Sequence, residues 1–214
     1  MDSLVVFYSG NRFVVHDYDH QRPYGAHLGD YSFSRLAASM FFTDVVPERC
    51  LRELRLVEIA FPPYSPKTWP GEVALEDWSD TLSWASKRLN LPGLTIRSIM
   101  AGLGGWEAPE SRLYMTKEQG DRIIAAYGRI VEPIACLGSD GLAKFYCSLT
   151  WPWAYTEESE VYTMDHGWEW VAAKERILEE HYGRKVMGDR YDLLHSGSGK
   201  PTDSSWVRKY IRDC

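Results

Sequence analysis

Apolar segments typical of β-strands recur three times along the chain, with a helix-like stretch between each pair. They cover Leu51–Phe61, Gly93–Gly102 and Gly141–Trp151, and a shorter segment at Asn11–Val15 predicts one strand before them. Strands that alternate with helices over roughly forty to fifty residues are typical of right-handed βα units that share one parallel sheet. The pattern therefore predicts an α/β domain with a short, mostly parallel sheet of leucine-rich-repeat-like units and with helices packed on that sheet.

Two helices are predicted in the first half of the chain from apolar residues at helical spacing. The first follows Ser32 and Ser34, which can act as N-caps, and continues through Val46. The second covers Leu75–Leu89, with acidic residues in its first turn and basic residues in its last. The apolar positions are Leu36, Met40, Phe41 and Val45 in the first helix, and Leu75, Trp78, Leu82, Ala85 and Leu89 in the second.

Two more helices are predicted in the second half. One begins after Thr116, which forms a capping-box pattern with Gln119, and Pro133 predicts a kink or an early end near Ile130. The other covers His166–Tyr182. Their inward positions are predicted to be Ile123, Ile124, Tyr127, Ile130, Val131 and Ile134 in the one, and Trp168, Val171, Ile177 and Leu178 in the other.

The length of 214 residues is that of one domain, which we place at residues 1–195. The segment that begins at Ser196 is rich in Gly, Ser and Pro. Such a composition predicts a flexible C-terminal tail over residues 196–214.

Charge and cysteine content limit the cellular compartments and the classes of partner that we expect for this protein. The formal net charge is −6 with a pI of about 5.5, so no overall basic field attracts nucleic acid. No apolar run approaches the ~20 residues of a membrane span. The four cysteines include no C-x-x-C pair, and no secretory leader follows Met1. We therefore expect an intracellular protein, cytoplasmic or nuclear, that binds neither nucleic acid nor membranes.

Several motifs resemble those of uncharacterised filamentous-fungal proteins described as F-box-like or as domains of unknown function. The resemblance rests on Phe7–Phe13, Phe61-Pro62-Pro63, Met115–Gly120, Trp151-Pro152-Trp153 and Met187–Tyr191, among others, and extends over most of the chain. Such relatives usually begin with a helical segment that carries a Leu-Pro-x-Glu-type motif and would engage a ubiquitin ligase. No such segment precedes Val5, so the chain resembles the recognition region downstream of the F-box-like segment.

Patterns that would indicate catalysis or metal binding are weak. The densest group of metal-ligand residue types lies in a Pro/Gly-bounded loop, without the spacing of a metalloprotease; it comprises His16, Asp17, Asp19, His20, His27 and Asp30. The Gly102–Gly105 segment lacks the spacing of a phosphate-binding loop, and Cys136 and Cys147 have apolar neighbours. We assign no catalytic residue, expect no metal site and no cofactor, and favour a protein that is not an enzyme.

Aromatic residues follow the C-terminal ends of the three strands, where open α/β sheets place their ligands. The candidate binding residues are Tyr64, Trp69, Trp106, Trp151, Trp153 and Tyr155. Because these ends share one rim of a parallel sheet, we expect the aromatic loops to cluster, either to bind a ligand or to cap the sheet by packing on one another.

The hypothesis that follows is a non-enzymatic protein-recognition module with a protein partner of unknown identity. An alternative is a small-molecule-binding protein or enzyme that uses the same rim as a pocket, with His16, His20 or Glu157 as acid/base groups. A third is a recognition region without its ligase-recruiting segment, which occupies targets without modifying them. The oligomeric state stays open.

Overall fold

A four-stranded, all-parallel sheet is the centre of the computed structural model, which describes residues 3–16, 35–61, 71–100, 116–149, 151 and 167–191. The strands lie in chain order and confirm the predicted α/β fold class. They are β1 (Arg12–His16), β2 (Leu56–Ala60), β3 (Thr95–Met100) and β4 (Lys144–Leu149). The helices are α1 (Ser3–Gly10), α2 (Ala37–Met40), α3 (Glu72–Ser86), α4 (Lys117–Ser139) and α5 (Gly167–Met187).

The strands β2 and β3 begin later than the hydrophobic pattern predicts. A 3-10 helix at Glu48–Glu53 occupies the start of the predicted segment Leu51–Phe61, and another at Leu91–Gly93 precedes β3. Each lies beside a proline, Pro47 at the N-cap of the first and Pro92 inside the second. Proline fixes φ near −65°, a value that suits such a turn. Apolar residues in these turns pack into the core and so extend the apolar run beyond the strand.

One face of the sheet forms the core. Its side chains occur at alternate positions of neighbouring strands and are all buried; they include Val57, Ile59, Ile96, Ser98, Phe145 and Cys147. On the opposite face most side chains are half-buried or exposed. Parallel strands in chain order with right-handed crossovers place their connecting helices on one face, which explains this asymmetry.

The helices pack beside one another as a layer. α3 contacts α4, and α4 contacts α5, which also lies along β4. Trp78 of α3 is fully buried and its Nε1 donates a hydrogen bond to the carbonyl of Ile130 at 3.0 Å. Tyr182 of α5 donates to the carbonyl of Ile124 at 2.9 Å. The apolar stripes predicted for α3 and α4 are buried, with Ile124 half-buried, so this part of the prediction is confirmed.

The helix before β2 differs from the prediction at its start and in its buried positions. It begins at Ala37, after an extended Leu36, so neither Ser32 nor Ser34 is its N-cap. From Phe41 it continues as a π-helix, in which Val46 bonds to the carbonyl of Phe41. A π-turn contains one more residue than an α-turn and moves the stripe along the chain. Met40 and Val45 are therefore exposed, whereas Phe42 and Val46 are buried.

Pro133 does not end its helix. α4 runs on to Ser139, so the expected early end near Ile130 was wrong. The ring removes one hydrogen bond, to the carbonyl of the exposed Arg129, but the apolar face of the helix remains buried on both sides of it. Tertiary packing of that face outweighs the local cost of the proline.

Two of the four inward positions predicted for α5 can be checked, because the burial of Trp168 and Val171 lies outside what the structure describes. Leu178 is buried, as expected, but Ile177 is 63% exposed, so its assignment to the core was wrong. The buried stripe continues at Tyr182 and Val186, and the glutamates that precede it along the same face are half-buried. The predicted tail at residues 196–214 lies outside the described residues.

Candidate functional site

Trp151 is the one predicted binding residue that the structure describes. It follows the C-terminal end of β4, is half-buried, and its ring lies 5.6 Å from Nζ of Lys174 on α5. The other five, Tyr64, Trp69, Trp106, Trp153 and Tyr155, lie outside the described residues. The clustering of the aromatic rim therefore stays a prediction, with Trp151 marking its place at β4.

Two glutamates of α5 lie along the outer side of β4. Oε1 of Glu179 accepts a hydrogen bond from the backbone N–H of Leu149, and Oε1 of Glu175 accepts one from that of Trp151, both at 3.2 Å. Four residues of helix advance about 6.0 Å and two residues of strand about 6.6 Å. Because these two distances are similar, carboxylates four residues apart on a helix that runs antiparallel to the strand can accept hydrogen bonds from N–H groups two residues apart on that strand. We call this side of β4 the covered edge.

Burial changes the acidity of these groups. It raises the pKa of Glu179 to about 7, although the bonds from Leu149 and Ser148 and the charge of Arg97 lower it. Burial also raises the pKa of Glu175, against the hydrogen bond from Trp151. The pKa of the Cys147 thiol is strongly raised by burial and by Glu179. Cys147 is therefore a poor nucleophile, whereas Glu179 can change protonation near neutral pH.

Of the three acid/base candidates from the sequence, the structure describes His16. His16 ends β1, at the far side of the sheet from β4, and His20 and Glu157 lie outside the described residues. In the part of the chain that the structure describes, no three His, Cys, Asp or Glu side chains are grouped so as to hold a metal ion.

A buried carboxylate joins the first three strands on the face opposite the helices. The side chain of Glu58 is 2% exposed; Nη2 of Arg12 on β1 donates to it, and Nη1 of Arg97 on β3 lies 3.7 Å away. Glu58 lies inside the apolar segment Leu51–Phe61 from which this strand was predicted. The sequence signal for this ion pair was a single carboxylate inside an apolar strand, because a buried charge requires a partner.

The outer side of β1 is different from that of β4. Backbone groups alternate in direction along a parallel strand, and Thr95 N–H bonds to the carbonyl of Arg55, which fixes that alternation through the sheet. Through the register between β1 and β2, the backbone N–H and C=O groups of Arg12 and Val14 point away from β2. Among the described residues no other backbone group bonds to these two on that side. We call this side of β1 the open edge.

Apolar side chains are exposed around the open edge. α1 contains no charged residue, and about half of the surface of Val6 and Phe7 is exposed. Phe7 packs edge-on against Phe13 of β1, with ring centroids 5.6 Å apart, and Val14 is 36% exposed. A helix that is apolar on all sides is normally buried, so this surface is of the kind that marks an interaction site.

No family model, no curated protein and no solved structure matches this chain. The resemblance to F-box-like proteins thus stays an expectation. Each helix that the structure describes is too short or too polar to cross a membrane. The function has to be argued from the two edges and the surfaces beside them.

Proposed function

We propose that this chain is a non-enzymatic, intracellular protein-recognition module that binds an extended segment of a protein partner along the open edge. One observation carries the proposal: exposed apolar side chains lie next to outward backbone groups that lack a partner among the described residues. Such edges recruit added strands unless the fold blunts them.

Strand addition uses both features. Main-chain hydrogen bonds to Arg12 and Val14 would hold the partner, and its side chains would alternate between the two faces. Those on one face would meet Phe7 and Phe13, and those on the other would lie beside Val14. The backbone would thus supply affinity, and the apolar contacts would supply selectivity.

A different protein suits the open edge better than a second copy of the chain. Two β1 strands paired antiparallel about Val14 would put Arg12 of one copy opposite His16 of the other. No side chains of opposite charge would then lie across from each other, although opposite-charge pairs are what stabilise neighbouring strands. A partner strand with neutral or acidic side chains avoids this.

The described cysteines fit an intracellular setting. Cys50, Cys136 and Cys147 are free thiols. Free thiols persist in reducing compartments, whereas secreted proteins commonly pair theirs.

The aromatic loops belong to the same proposal as a second contact surface. Trp151, the member of this set that the structure describes, lies beside the covered edge, at the opposite side of the sheet from β1. The Trp106→Ala/Trp153→Ala double variant tests the aromatic loops separately from the edge.

The test uses two prolines at exposed valines. In Val14→Pro the ring replaces an outward N–H, which edge strands tolerate. Val73→Pro is the control, because Val73 is also exposed and lies in the first turn of α3, where proline is accepted. A photo-crosslinking residue at position 14 identifies the partner, and titration of the purified partner then compares the variants.

We expect Val14→Pro to weaken partner binding at least tenfold, which is about 1.4 kcal/mol, and Val73→Pro to leave binding unchanged. Amide hydrogen exchange at Arg12 and Val14 should slow when the partner is bound. Equal affinity of wild type and Val14→Pro, with no change in exchange along β1, would show that the open edge is not the binding site.

A second candidate, a small-molecule binder or enzyme that uses the rim, is favoured by the pKa of Glu179. A value of about 7 suits general acid–base catalysis. The carboxylate already accepts a hydrogen bond from Leu149 and thereby covers the edge of β4. Because this structural role already accounts for Glu179, we favour protein recognition over this second candidate.

A further inference from the structure

We propose that a depression lined by arginines binds an acidic segment of a protein partner. Glu48, Arg49 and Arg52 of the 3-10 helix and Arg88 after α3 line a cavity of about 470 Å³, which we call the arginine depression. The two segments that form it, residues 48–55 and 87–88, carry five Lys and Arg side chains against two glutamates. This local excess of positive charge occurs in a chain of net charge −6.

Two guanidinium groups of these segments are held in place by the fold: that of Arg88, which lines the depression, and that of Arg55, which follows the lining residues in the chain. Nε of Arg88 donates to Glu48 at 2.8 Å, Nη1 donates to the carbonyl of Trp84 at 2.9 Å, and the group stacks on the Trp84 ring at 4.3 Å. Nη1 of Arg55 donates to the carbonyl of Arg52 at 3.0 Å. Fixed side chains lose little entropy when a ligand binds, so these cations are preorganised.

The cavity retains donors for a ligand. Arg88 uses Nε and Nη1, which leaves the N–H groups of Nη2. Arg52 bonds through Nε to the adjacent Glu53, and its side chain is 72% exposed, which leaves the N–H groups of its Nη atoms. A guanidinium with two donors in one plane matches the two oxygens of a carboxylate.

An acidic peptide fits these observations better than a nucleic acid. Nucleic-acid surfaces neutralise many phosphates along a basic stripe. Here Arg49, Arg52 and Arg88 line one open concave area, and Glu48 and Glu53 interrupt the positive charge of the segments that form it. The size of the cavity suits a few side chains. Carboxylates of a short acidic segment would satisfy the free donors without an extended basic surface.

The position of the depression connects it to the recognition role. The 3-10 helix Glu48–Glu53 packs against α1, whose Val6 and Phe7 form the exposed apolar surface. A partner on the open edge could therefore place acidic residues in the depression. Only the identity of that partner rests on the proposed function, because binding of an acidic peptide can be measured without it.

The experiment is a titration of a fluorescein-labelled octaglutamate peptide by fluorescence anisotropy. Arg52→Gln removes one donor group at an exposed position and should leave the fold intact. Its matched control is Arg122→Gln on α4, where an exposed arginine pairs with Glu118. We expect saturable binding, about fivefold weaker in Arg52→Gln, since one exposed charge pair contributes about 1 kcal/mol. Arg122→Gln should bind as the wild type does.

Several results would overturn the inference. They are the absence of saturable binding, equal binding of an octaglutamine peptide, equal weakening in Arg122→Gln, or tighter binding of a single-stranded oligodeoxynucleotide. Peptide binding that depends on Arg52 while Val14→Pro leaves partner affinity unchanged would support the depression and contradict strand addition. Peptide binding that does not depend on Arg52, together with weaker partner binding by Val14→Pro, would contradict the depression alone.

Discussion

The two outer strands of the sheet, β1 and β4, differ in what lies along their free sides. β4 presents Leu149 and Trp151 to the carboxylates of Glu179 and Glu175, so a helix supplies the acceptors that a fifth strand would have supplied. β1 presents Arg12 and Val14 without such partners among the described residues, next to the apolar α1. Among the residues that the structure describes, the same sheet thus has one edge that its own chain covers and one that it does not cover.

The comparison shows how a small fold can limit where strands add. Covering an edge with carboxylates prevents further pairing there. It also takes two carboxylates partly out of water, which raises their pKa. At the open edge no such carboxylate is buried among the described residues, and apolar side chains beside it are exposed.

The largest expected effect comes from separating α5 from the rest of the fold. A Cβ on Gly138 would lie 1.8 Å from the backbone oxygen of Val186, so Gly138→Ala forces α4 and α5 apart. We expect the free energy of unfolding to fall by about 4 kcal/mol, above the usual range for overpacking because backbone atoms must move. Urea unfolding measures this, and amide exchange at Leu149 and Trp151 should accelerate.

Gly128→Ala on the same helix is the control. The nearest atom to its Cβ would be the hydroxyl of Tyr182 at 3.9 Å, an ordinary contact. Alanine is the better helix former, so this variant should gain up to about 1 kcal/mol. Equal effects of the two substitutions would contradict the close approach at Gly138.

The next effect concerns the attachment of β1. Glu58→Gln removes the buried charge that pairs with Arg12 and lies near Arg97. Breaking such a pair costs about 3 kcal/mol because partly buried cations are left uncompensated. Glu118→Gln, which breaks an exposed pair with Arg122, should cost less than about 0.5 kcal/mol in the same urea unfolding measurement. Wild-type stability of Glu58→Gln would show that the ion pair does not hold the open edge.

The smallest of these effects tests the covered edge by pH. The folded pKa of Glu179, about 7, lies above the usual 4.5, so the folded state binds the proton more tightly than the unfolded state does. Its contribution to stability is therefore fully present below pH 4.5 and is lost as the pH rises to about 7. Glu179→Gln keeps an acceptor for Leu149 without the charge. We expect the variant to be about 2 kcal/mol more stable than wild type at pH 8.

Unfolding in urea at several pH values provides the measurement for that prediction. Glu180→Gln is the matched control, because Glu180 forms a surface pair with Arg184 instead of bonding to β4. It should retain the pH dependence of the wild type. A Glu179→Gln variant with the same pH dependence as wild type would contradict the raised pKa.

Much of the fold could be predicted from the sequence because its strands and longer helices have regular apolar periods. The stripe from Leu75 to Ala85 identified α3 to within a few residues. The predictions failed where another interaction, and not the apolar period, decided which side chains are buried. A π-turn moved the buried positions after Phe41. On α5, glutamates that bond to a strand occupy a half-buried face, whereas Ile177, predicted to face the core, is exposed.

The candidate site was predicted less completely. Trp151 was identified from its place after a strand, but the residues that act around it were not. Glu175 and Glu179 look like ordinary surface residues in a helix, and their role appears only when α5 lies beside β4. The open edge is likewise invisible in sequence, because the order of strands in a sheet decides which of them lie outside.

The cover of β4 also has a consequence for synthesis on the ribosome. Chains generally fold as they emerge, N-terminal parts first. The sheet can be complete once Leu149 has left the exit tunnel, whereas α5 ends at Met187. During that interval of translation the outward N–H group of Leu149 lacks the carboxylate of Glu179 that accepts its hydrogen bond in the folded chain. Emergence of α5 supplies that acceptor, so the cover of β4 is added after the strand that it protects.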